Sequence, residues 1–361
     1  MRVAVVTYLA SPYQAELFNA VAASGGIELE VVYLHRTSRT RRWTIPPISH
    51  TAVCLDEEPG RFEEVRAEIL DADLAVFNYY SQRSARVLLD GRAASGKPWC
   101  FWGERPGLRK PEWIGRLVRQ CALSWLHDSP APIWGIGRFA VERYQTEFGP
   151  RRAYCNLPYF SDLKRFQCSV GAVERAAAER VFLFSGSLIH RKAVDLVGRA
   201  FLRLAREVPN VRLRLLGDGE LYGALAEMLH PVRERVEFIG FKDWAELPAY
   251  YGAADILCVP SRYDGWGLVV PEGLASGLPV IGTNSMGAAI EFIKSGLNGW
   301  LVPAGHGDML FAAMREAALL PDTKLAEMSC RARESVREHS LQHGIQRFIR
   351  ATRDALANWQ S

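Results

Sequence analysis

Apolar runs of strand length alternate with amphipathic segments along the chain. In the first half these runs read RVAVVTYL, IELEVVYL, DLAVFNYY, PWCFWG and IWGIG, and in the second half RVFLFSGS, VRLRLLG, VEFIG, DILCVPS and PVIGT. Short runs rich in β-branched and aromatic residues, separated by helical patterns, predict parallel sheets that are covered by helices on both faces. The predicted fold class is therefore α/β.

The apolar runs fall into two series, which predict two domains. Between them, the segment YCNLPYFSDLKRFQCSVGAVERAAAER loses the strand pattern and ends in a helical stretch, AVERAAAER, that leads into the next run. A chain of 361 residues also exceeds what one hydrophobic core commonly serves. We place the boundary near residues 160 to 178, and predict an N-terminal domain over 1–165 and a C-terminal domain over 166–340.

The end of the chain, residues 341–361, has its own amphipathic pattern. The segment LQHGIQRFIRATRDALANWQ places Ile345, Phe348, Ile349 and Leu356 on one side of a helix. An apolar stripe of this kind needs a partner, and we expect the helix to pack back towards the N-terminal domain.

Net charge and cysteine spacing limit the kinds of ligand that the chain would bind and the cellular compartment that it would occupy. With 44 Lys and Arg against 40 Asp and Glu, the net charge of +4 is too mild to indicate nucleic acid, but leaves a small anionic ligand or a membrane surface open. The seven cysteines lie far apart without a C-x-x-C pair, which favours a reducing cytosol over a disulfide framework or a zinc site. The opening MRVAVVTYLA has no signal-peptide cleavage site, and no run reaches about 18 apolar residues. We expect a cytoplasmic protein that does not span a membrane.

In open α/β sheets, ligands bind beyond the carboxyl ends of the strands, so the loops after the runs carry the chemistry. In FSGSLIHRKAVDLV, Gly186 allows close approach of the backbone to a ligand, and Arg191 and Lys192 come just before a helix. A guanidinium fork and an ammonium group at a helix start predict a phosphate clamp. The alternative is a solvated basic pair.

A second loop, in VEFIGFKDWAEL, follows a strand that ends at Gly240. Phe241 and Lys242 precede a predicted helix that Asp243 caps. A flat ring beside backbone amides is suited to a nucleobase, although core packing is an alternative role for a single Phe.

A third loop, LLGDGELYGAL, resembles half of a dinucleotide fingerprint. Gly217 and Gly219 follow a strand, but the spacing is G-x-G-x-x-x-G and the motif lies at mid-chain. We therefore favour a tight turn between strand and helix over a nicotinamide or flavin site.

The fourth loop, in RYDGWGLVVPEGLASGLPVIGT, combines acids, glycines and a short helix. Pro271 suits the first turn of this helix, and Gly277 with Pro279 ends it. The positive end of the helix points back at a loop with few large side chains, where an anion can approach closely. The loop residues are Asp264, Gly265, Trp266, Gly267 and Leu268.

Two carboxylates in one pocket would repel a bound diphosphate. Asp264 and Glu272 can share a pocket with a phosphate clamp only if the acids face hydroxyl groups while Arg191, Lys192 and the helix amides face the phosphates. A molecule with hydroxyl-rich groups at both ends of a diphosphate is a nucleotide-sugar.

This segment resembles the Glu-x7-Glu signature of the family-four retaining glycosyltransferases. Asp264 and Glu272 are separated by seven residues, as in that signature. The resemblance continues through FSGSLIHRKAVDLV, LLGDGE, FIGF and AYYGAADILCVPS to GLNGWLVPAG, and covers nearly all of residues 181–305. In the N-terminal half it is looser, and is limited to the strand order and to ERPGLRK and NLPYFSD.

The resemblance implies a GT-B fold, in which two Rossmann-like domains face each other across a deep cleft. It implies a retaining, metal-independent glycosyltransferase of the hexosyltransferase class, which transfers a sugar from a nucleoside diphosphate sugar to an acceptor hydroxyl. In such families the leaving phosphate accepts the acceptor's proton, so no dedicated protein base is implied. No metal and no cofactor are expected, because the nucleotide-sugar is a co-substrate.

Residue roles follow from the same resemblance. Arg191 and Lys192 would stabilise the leaving diphosphate, Asp264 would bind sugar hydroxyls and Glu272 ribose hydroxyls. The remaining donor-binding residues would be Gly186, Gly240, Phe241, Lys242, Gly265, Trp266, Gly267 and Leu268.

The sequence departs from the family pattern at several positions. The first acid is Asp264 instead of Glu, and Ala193 follows the basic pair where the family usually has Gly. The loop YLASPYQAEL lacks a glycine pair, which leaves Ser11 and Pro12 as acceptor-side candidates. Glu104, after PWCFWG, matches a position where the family often has a His, and is our candidate to orient the acceptor or the donor sugar; a surface acid is the alternative.

Two patterns that are typical of metal sites have simpler interpretations. Asp71 and Asp73 form a D-x-D, but they precede a strand instead of following one, which favours a helix-to-strand connection. His339 and His343 are spaced i, i+4 without nearby Cys or acid partners, so we predict a solvated face.

Basic and apolar residues cluster in the N-terminal half. The segment HRTSRTRRW carries Arg36, Arg39, Arg41 and Arg42, and RPGLRKPEWIGRLVRQCALSWL predicts a basic helix with Trp113, Ile114, Leu117 and Val118. Such a helix can lie on an anionic leaflet, which supports the hypothesis of peripheral contact at the inner face of a membrane. A solvated arginine face is the alternative.

Together with the residues quoted above, the resemblance implies a glycosyltransferase of surface polysaccharide, lipopolysaccharide or glycolipid assembly. Its partners would be a nucleotide-sugar donor and a glycan or lipid-linked acceptor, without nucleic acid. Two alternatives remain open at this point: a sugar-nucleotide epimerase or hydrolase on the same fold, and a non-catalytic nucleotide-sugar-binding protein.

Overall fold

The computed structural model describes residues 1–37, 43–106, 112–167 and 179–359. The strands in these ranges are β1 (Arg2–Leu9), β2 (Glu28–His35), β3 (Thr51–Cys54), β4 (Leu74–Phe77), β5 (Trp99–Gly103), β6 (Ile133–Gly135), β7 (Tyr154–Asn156), β8 (Arg180–Ser185), β9 (Val211–Leu216), β10 (Val236–Gly240), β11 (Ile256–Cys258), β12 (Val280–Thr283) and β13 (Gly299–Val302).

The helices alternate with these strands along the chain. They are α1 (Pro12–Ala23), α2 (Phe62–Asp71), α3 (Arg83–Ala94), α4 (Glu112–Ala122), α5 (Ser124–His127), α6 (Arg138–Phe148), α7 (Lys164–Gln167), α8 (Val194–Glu207), α9 (Tyr222–Leu229), α10 (Leu247–Gly252), α11 (Val269–Ser276), α12 (Gly287–Phe292), α13 (Gly307–Leu319), α14 (Asp322–Ser335) and α15 (Leu341–Ala357). Short 3-10 segments span Pro59–Arg61, His190–Lys192 and His230–Arg235.

The chain divides into two compact units. Unit 1 comprises Met1–Ser161 and Leu341–Ser361, and unit 2 comprises Asp162–Ser340. The predicted helical stretch AVERAAAER falls almost entirely within 168–178, outside the described residues.

Unit 1 is built on a seven-stranded parallel sheet with the order β3-β2-β1-β4-β5-β6-β7. Val5 of β1 is paired with Val31 of β2 and Val76 of β4, and all three side chains are buried because helices cover both faces. The sequence pattern predicted five of the seven strands. It missed β3 and β7, the two edge strands of the sheet, because Thr51 and Ala52 of β3 and all three residues of β7 are exposed or half-buried and give no continuous apolar run.

Unit 2 is built on a six-stranded parallel sheet with the order β10-β9-β8-β11-β12-β13. The sequence pattern missed β13, which begins at Gly299 and pairs with β12. Gly299 has a φ of 158° and lies so close to β12 that a Cβ there would be 2.2 Å from the carbonyl oxygen of Val280. Only glycine allows this approach, and the strand therefore starts with a residue that strand patterns penalise.

In both sheets the strand order reverses beside the first strand of the unit. The reversal lies between β1 and β4 in unit 1 and between β8 and β11 in unit 2. The prediction of an α/β chain with two Rossmann-like parallel sheets is thus confirmed. At such a reversal the loops leaving the carboxyl ends of the two strands diverge, and the crevice between them is where α/β sheets bind ligands.

A helix that crosses a bilayer must be both long and apolar, and the helices of the described segments can be judged on both counts. Not one of them combines the length and the apolar character that a crossing needs.

Candidate functional site

The loop after β8 places the basic pair at the unit 2 crevice. Gly186 follows the strand with a φ of 145°, and Arg191 and Lys192 lie in the 3-10 turn that leads into α8. Ala193 joins turn and helix in a left-handed conformation with a φ of 57°. The Arg191 side chain is half exposed, whereas that of Lys192 is largely buried.

The loop after β11 is held by backbone hydrogen bonds to the segment that follows β12. The backbone N–H of Asp264 donates to the carbonyl of Ser285, and the N–H of Ala288 donates to the carbonyl of Trp266. Gly287 is needed for this contact, because a Cβ there would be 2.5 Å from the carbonyl oxygen of Gly265. The loop therefore has a defined position before α11 begins.

Trp266 anchors this loop through its side chain. The indole is 1% exposed and packs against Phe292 and His339. Any contact of Trp266 with a donor would therefore come from its backbone. Gly265 and Gly267 on either side leave the loop surface free of large side chains, and Gly267 has a φ of 90°.

The two loops meet through their charged side chains. Lys192 Nζ lies 2.5 Å from Asp264 Oδ2, and Arg191 Nη1 lies 4.0 Å from Asp264 Oδ1. Arg191 Nη1 also donates to the carbonyl of Tyr263 at 3.1 Å. Two cations and one carboxylate are thus held in one cluster, beside the amino end of α11.

Helix α11 carries the second carboxylate. Leu268 is its N-cap residue, Glu272 lies in its first turn, and Gly277 ends it in a left-handed conformation. The Tyr251 hydroxyl donates to Glu272 Oε2 at 3.4 Å from a fully buried ring. Burial raises the pKa of Tyr251 well above its usual value, so the hydroxyl stays protonated and can hold the carboxylate in place. Sequence reasoning assigned no role to Tyr251, although it lies in the quoted AYYGAADILCVPS.

The loop after β10 lies at the edge of the same sheet. Gly240 has a φ of 79°, Phe241 is 42% exposed, and Lys242 Nζ lies 3.6 Å from Glu246. Because β10 is two strands from β8, the two strands lie about 10 Å apart, which is close to the length of a nucleoside. The predicted helix starts later than expected: Asp243 opens a turn that Glu246 closes, and α10 begins at Leu247.

Gly217 and Gly219 serve backbone packing. A Cβ on Gly217 would be 2.0 Å from the carbonyl oxygen of Gly186, and one on Gly219 would be 2.6 Å from that of Leu188. The loops after β8 and β9 therefore cross in direct backbone contact, which favours the tight-turn interpretation over a dinucleotide site.

The acceptor-side candidates lie in unit 1, at the carboxyl ends of its own strands. Ser11 is buried at the N-cap position of α1, directly before Pro12, and its hydroxyl lies 3.0 Å from Gln14 Oε1. The Glu104 side chain is exposed after β5, and its carbonyl accepts a hydrogen bond from the Tyr144 hydroxyl. Ser11 and Glu104 line one pocket of about 320 Å³, together with Tyr8, Tyr79, Tyr80 and Tyr159.

The interpretation of His339 as part of a solvated face was wrong. His339 is 3% exposed and packs on Trp266 and Phe292 in the turn after α14. The spacing to His343 suggested one helix, but the chain turns at Ser340 and α15 begins at Leu341. Asp71 and Asp73 do precede β4.

Comparisons with known proteins place this geometry in context. Residues 172–335 match the family described as Glycosyl transferases group 1. An uncharacterized glycosyltransferase of Methanocaldococcus jannaschii is 33% identical over 141 residues, which are 38% of this chain and 35% of that protein. A GDP-mannose-dependent alpha-(1-6)-phosphatidylinositol monomannoside mannosyltransferase of Mycolicibacterium smegmatis is 29% identical over 229 residues, which are 59% of each chain. The chain thus spans 35% to 59% of the length of these two relatives.

Solved structures resemble the chain over almost its whole length. HepE of Anabaena, in complex with UDP and glucose, has a TM-score of 0.74 at 16% identity, and the match covers 98% of this chain and 100% of that one. Sucrose-phosphate synthase of Thermosynechococcus elongatus has a TM-score of 0.73 at 19% identity, with 99% of both chains covered. At these identities the likeness establishes the fold alone, and it confirms the predicted GT-B fold.

Proposed function

We propose that this chain, whose residues 172–335 match the glycosyl transferases group 1 family, transfers a sugar from a nucleoside diphosphate sugar to an acceptor hydroxyl with retention of configuration. The observation that carries the proposal is the cluster of Arg191, Lys192 and Asp264 at the unit 2 crevice. Cations, a carboxylate and a helix amino end in one place suit a ligand that joins a diphosphate to hydroxyl-rich groups.

The leaving diphosphate makes the main demand on this cluster. As the anomeric bond breaks, an oxocarbenium-like centre forms and negative charge grows on the diphosphate, which Arg191 and Lys192 stabilise as fixed donors. In the structure Lys192 contacts Asp264. Donor binding would exchange this ion pair for a phosphate contact and turn the Asp264 carboxylate towards sugar hydroxyls.

The nucleoside would lie along the edge of the unit 2 sheet. Phe241 offers an exposed ring for the base, with Lys242 beside it, and Glu272 offers acceptor oxygens for the ribose hydroxyls. The Tyr251 hydroxyl would keep Glu272 oriented for that contact.

We propose that no metal ion takes part in this reaction. The two cations beside Asp264 would neutralise the diphosphate without a divalent ion. Turnover after removal of metals with EDTA should then equal turnover with added Mg²⁺ or Mn²⁺, and a loss that either ion restores would contradict this part of the proposal.

The acceptor is proposed to bind in the unit 1 pocket. Its tyrosine rings offer flat surfaces and hydroxyls, and Glu104 lies at the rim as a candidate to orient the attacking hydroxyl. A glycan or the sugar of a lipid-linked acceptor fits this lining, in keeping with the phosphatidylinositol mannoside acceptor that the Mycolicibacterium relative's name states. We infer a role in surface polysaccharide or glycolipid assembly.

Helix α4 supports the further proposal that unit 1 touches an anionic membrane. Its side chains Trp113, Ile114, Leu117 and Val118 are exposed by 41% to 66%. On the opposite side, Arg119 and Glu147 form a largely buried ion pair at 2.9 Å that fixes the helix to α6. An apolar ridge on an anchored helix can enter a headgroup region without local unfolding. The predicted cationic residues Arg39, Arg41, Arg42, Arg109 and Lys110 lie outside the described residues.

Product analysis with a panel of nucleotide-sugars tests the main proposal. We expect nucleoside diphosphate to be released only when an acceptor is added, and the product to keep the donor's anomeric configuration. Arg191→Ala should lower kcat by at least about 100-fold with a smaller change in donor affinity, because its charge matters most as the leaving group develops. Arg315→Ala, an exposed arginine paired with Glu207, is the matched control. Unchanged kcat in Arg191→Ala would exclude the clamp, and release without acceptor would indicate a hydrolase.

Flotation with vesicles tests the membrane contact. The wild-type chain should float with phosphatidylglycerol vesicles and not with phosphatidylcholine vesicles, and the double variant Trp113→Ser/Leu117→Ser should stay in the dense fraction. Leu319→Ser removes an equally exposed leucine from unit 2 and serves as the control. Failure of the wild-type chain to float with anionic vesicles would end this proposal.

A further inference from the structure

Arg262, which is not among the proposed donor-binding residues, makes hydrogen bonds to the turn that carries the basic pair and to helix α8. It lies between β11 and Asp264, and its Nη1 donates to the carbonyl of His190 at 2.6 Å and to Asp195 Oδ1 at 2.6 Å. Its Nη2 donates to Asp195 Oδ2 at 2.8 Å. Its backbone N–H donates to the carbonyl of Arg191 at 2.9 Å. One residue thus joins the loop that carries Asp264 to the turn that carries the basic pair.

Asp195, which accepts two hydrogen bonds from the Arg262 guanidinium, is held in a regular helix. Asp195 lies in the first turn of α8, two residues after Ala193. Both side chains are largely buried, with 24% of Arg262 and 15% of Asp195 exposed. A bidentate guanidinium–carboxylate pair of this kind has a defined orientation that a single contact lacks.

The pair is ionised at neutral pH. Burial by itself would raise the pKa of Asp195, but the hydrogen bonds and positive charges of Arg262 and Arg199 outweigh burial and lower it. The hydrogen bond that Arg262 donates to Asp195 likewise raises the pKa of Arg262. Loss of Asp195 would leave the largely buried Arg262 guanidinium without its carboxylate, and loss of Arg262 would leave Asp195 with the exposed Arg199 as its cation, so neither loop can move away at low cost.

Arg191 depends on this connection for its own position. Its Nη1 donates to the carbonyl of Tyr263, the residue after Arg262, and its carbonyl accepts from the Arg262 N–H. The guanidinium that faces the crevice is therefore placed by the loop that Arg262 fixes. A displacement of about 1 Å in a group that must meet a transition state can cost about 100-fold in rate.

We propose that Arg262 and Asp195 are positioning residues of the donor site: their ion pair sets the spacing between the Arg191–Lys192 turn and the Asp264 loop, and thereby the strength of the diphosphate contact as the leaving group develops. The proposal rests on the function proposed above. Neither residue needs to touch the substrate.

Arg199 offers a matched control for this pair. It also contacts Asp195, at Oδ2, but its side chain is 54% exposed and this contact lies within α8. An exposed ion pair within one helix contributes little to stability. Arg199→Gln therefore removes a positive partner of the same carboxylate without releasing either loop.

The test compares Arg262→Gln, Arg262→Lys and Arg199→Gln in the full chain by hydrogen exchange, UDP and GDP calorimetry and donor kinetics. Arg262→Gln should speed exchange at the amides of 190–193 at least tenfold and lower kcat about 100-fold, while the KM for donor rises less than tenfold. Arg262→Lys keeps the charge but lacks the planar guanidinium fork that reaches Asp195 and the His190 carbonyl together, and should recover part of the lost kcat. Arg199→Gln should stay within twofold of the wild type in every measurement.

The outcomes separate this proposal from the one it rests on. If the amides of 190–193 exchange at the same rate in Arg262→Gln as in the wild type, the positioning role is overturned, whatever the activity of the variant. A fall in kcat that Arg199→Gln shares overturns it as well, because the effect then follows the charge balance of Asp195. If the wild type binds neither UDP nor GDP and transfers no sugar, the proposed function fails, but faster exchange in Arg262→Gln alone would still support the structural connection.

Discussion

At the unit 2 crevice, Asp264 lies beside two cations, and Ala193 has a backbone conformation that is unusual for a residue other than glycine. Asp264 is close to Arg191 and Lys192, although we expected it to face hydroxyls while they faced phosphates. Asp is one methylene shorter than Glu, so the carboxylate remains near its own loop and within reach of Lys192. Among the described residues, Ala193 is the one residue other than glycine that has a positive φ. It lies where the chain turns from the basic pair into α8.

Replacing Asp264 by Asn should separate donor binding from sugar transfer. The variant loses the ion pair to Lys192, which frees the ammonium for phosphate, so UDP or GDP affinity should hold or increase while kcat for transfer falls by at least about tenfold. Calorimetry and transfer assays on the same preparation measure both quantities. Equal losses in the two assays would place the carboxylate outside the sugar contact.

Replacing Ala193 by Gly should be close to neutral for stability, despite its buried methyl group. Relief of left-handed strain gains about 1–2 kcal/mol, whereas added freedom of the unfolded chain costs about 0.4–1 kcal/mol and the lost methyl about 0.8 kcal/mol. The buried Ala200 in the interior of α8 lacks the strain, and Ala200→Gly should cost about 2 kcal/mol. Denaturant unfolding of both variants measures the contrast. A cost for Ala193→Gly as large as that of the control would show that the strain is absent.

Among the elements, helix α2 and strand β2 meet through two carboxyl groups. Glu30 of β2 lies against Glu68 of α2, and burial, followed by a hydrogen bond and the negative charge of Glu68, raises the pKa of Glu30 to about 7. Arg61 acts in the opposite direction and Glu64 in the same one. At pH 6 a protonated Glu30 can donate to Glu68, whereas above pH 7 the two carboxylates repel each other and loosen the packing of α2 on the sheet.

Stability should therefore fall as pH rises through about 7 at this contact. A carboxyl whose pKa is higher in the folded than in the unfolded chain binds more protons when folded, so its contribution is complete below its unfolded pKa and is lost as pH rises through the folded pKa. Glu30→Gln can still donate to Glu68 but cannot ionise. In thermal scans, its melting temperature should equal that of the wild type at pH 5 and exceed it at pH 8. Glu63→Gln, on the exposed face of α2, should have the melting temperature of the wild type at both pH values. If Glu30→Gln also has the melting temperature of the wild type at both pH values, repulsion between Glu30 and Glu68 is excluded.

At the scale of the whole molecule, the two units divide the proposed substrates. The cluster of Arg191, Lys192 and Asp264 and the β10 loop all belong to unit 2, and the pocket with Ser11 and Glu104 belongs to unit 1. Each unit has its own parallel sheet and core. The donor contacts can therefore form without a contribution from the unit 1 residues described.

A nucleoside diphosphate alone should protect the unit 2 loops of the full chain. Hydrogen exchange should slow in 186–193, 240–242 and 262–272, because backbone amides there become covered by the ligand. At a hundredfold excess over Kd, the ligand should also stabilise the folded chain by about 2.7 kcal/mol, visible as a higher melting temperature. Arg191→Ala should weaken both effects, and wild-type loops that stay unprotected at saturating UDP and GDP would contradict the assignment.

Sequence reasoning was most successful where local pattern and tertiary structure impose the same demand. The buried central strands β1, β4, β8 and β12 each contain a continuous apolar run, and all were predicted. The strands that were missed, β3, β7 and β13, are short edges or begin with a strained glycine, and pairing with a neighbour defines them. The solvated role predicted for His339 was wrong because its surroundings come from Trp266, which lies 73 residues earlier in the chain.

The sequence by itself determined the α/β class, the two series of strands and the loops in which charged residues would gather, because hydrophobic period and glycine position act locally. Only the tertiary structure decided which charges meet. The contact between Lys192 and Asp264, the support of Glu272 by Tyr251 and the fork of Arg262 on Asp195 each join residues distant in sequence. Their geometry depends on strand order and backbone approach to within about 1 Å, which no local pattern encodes.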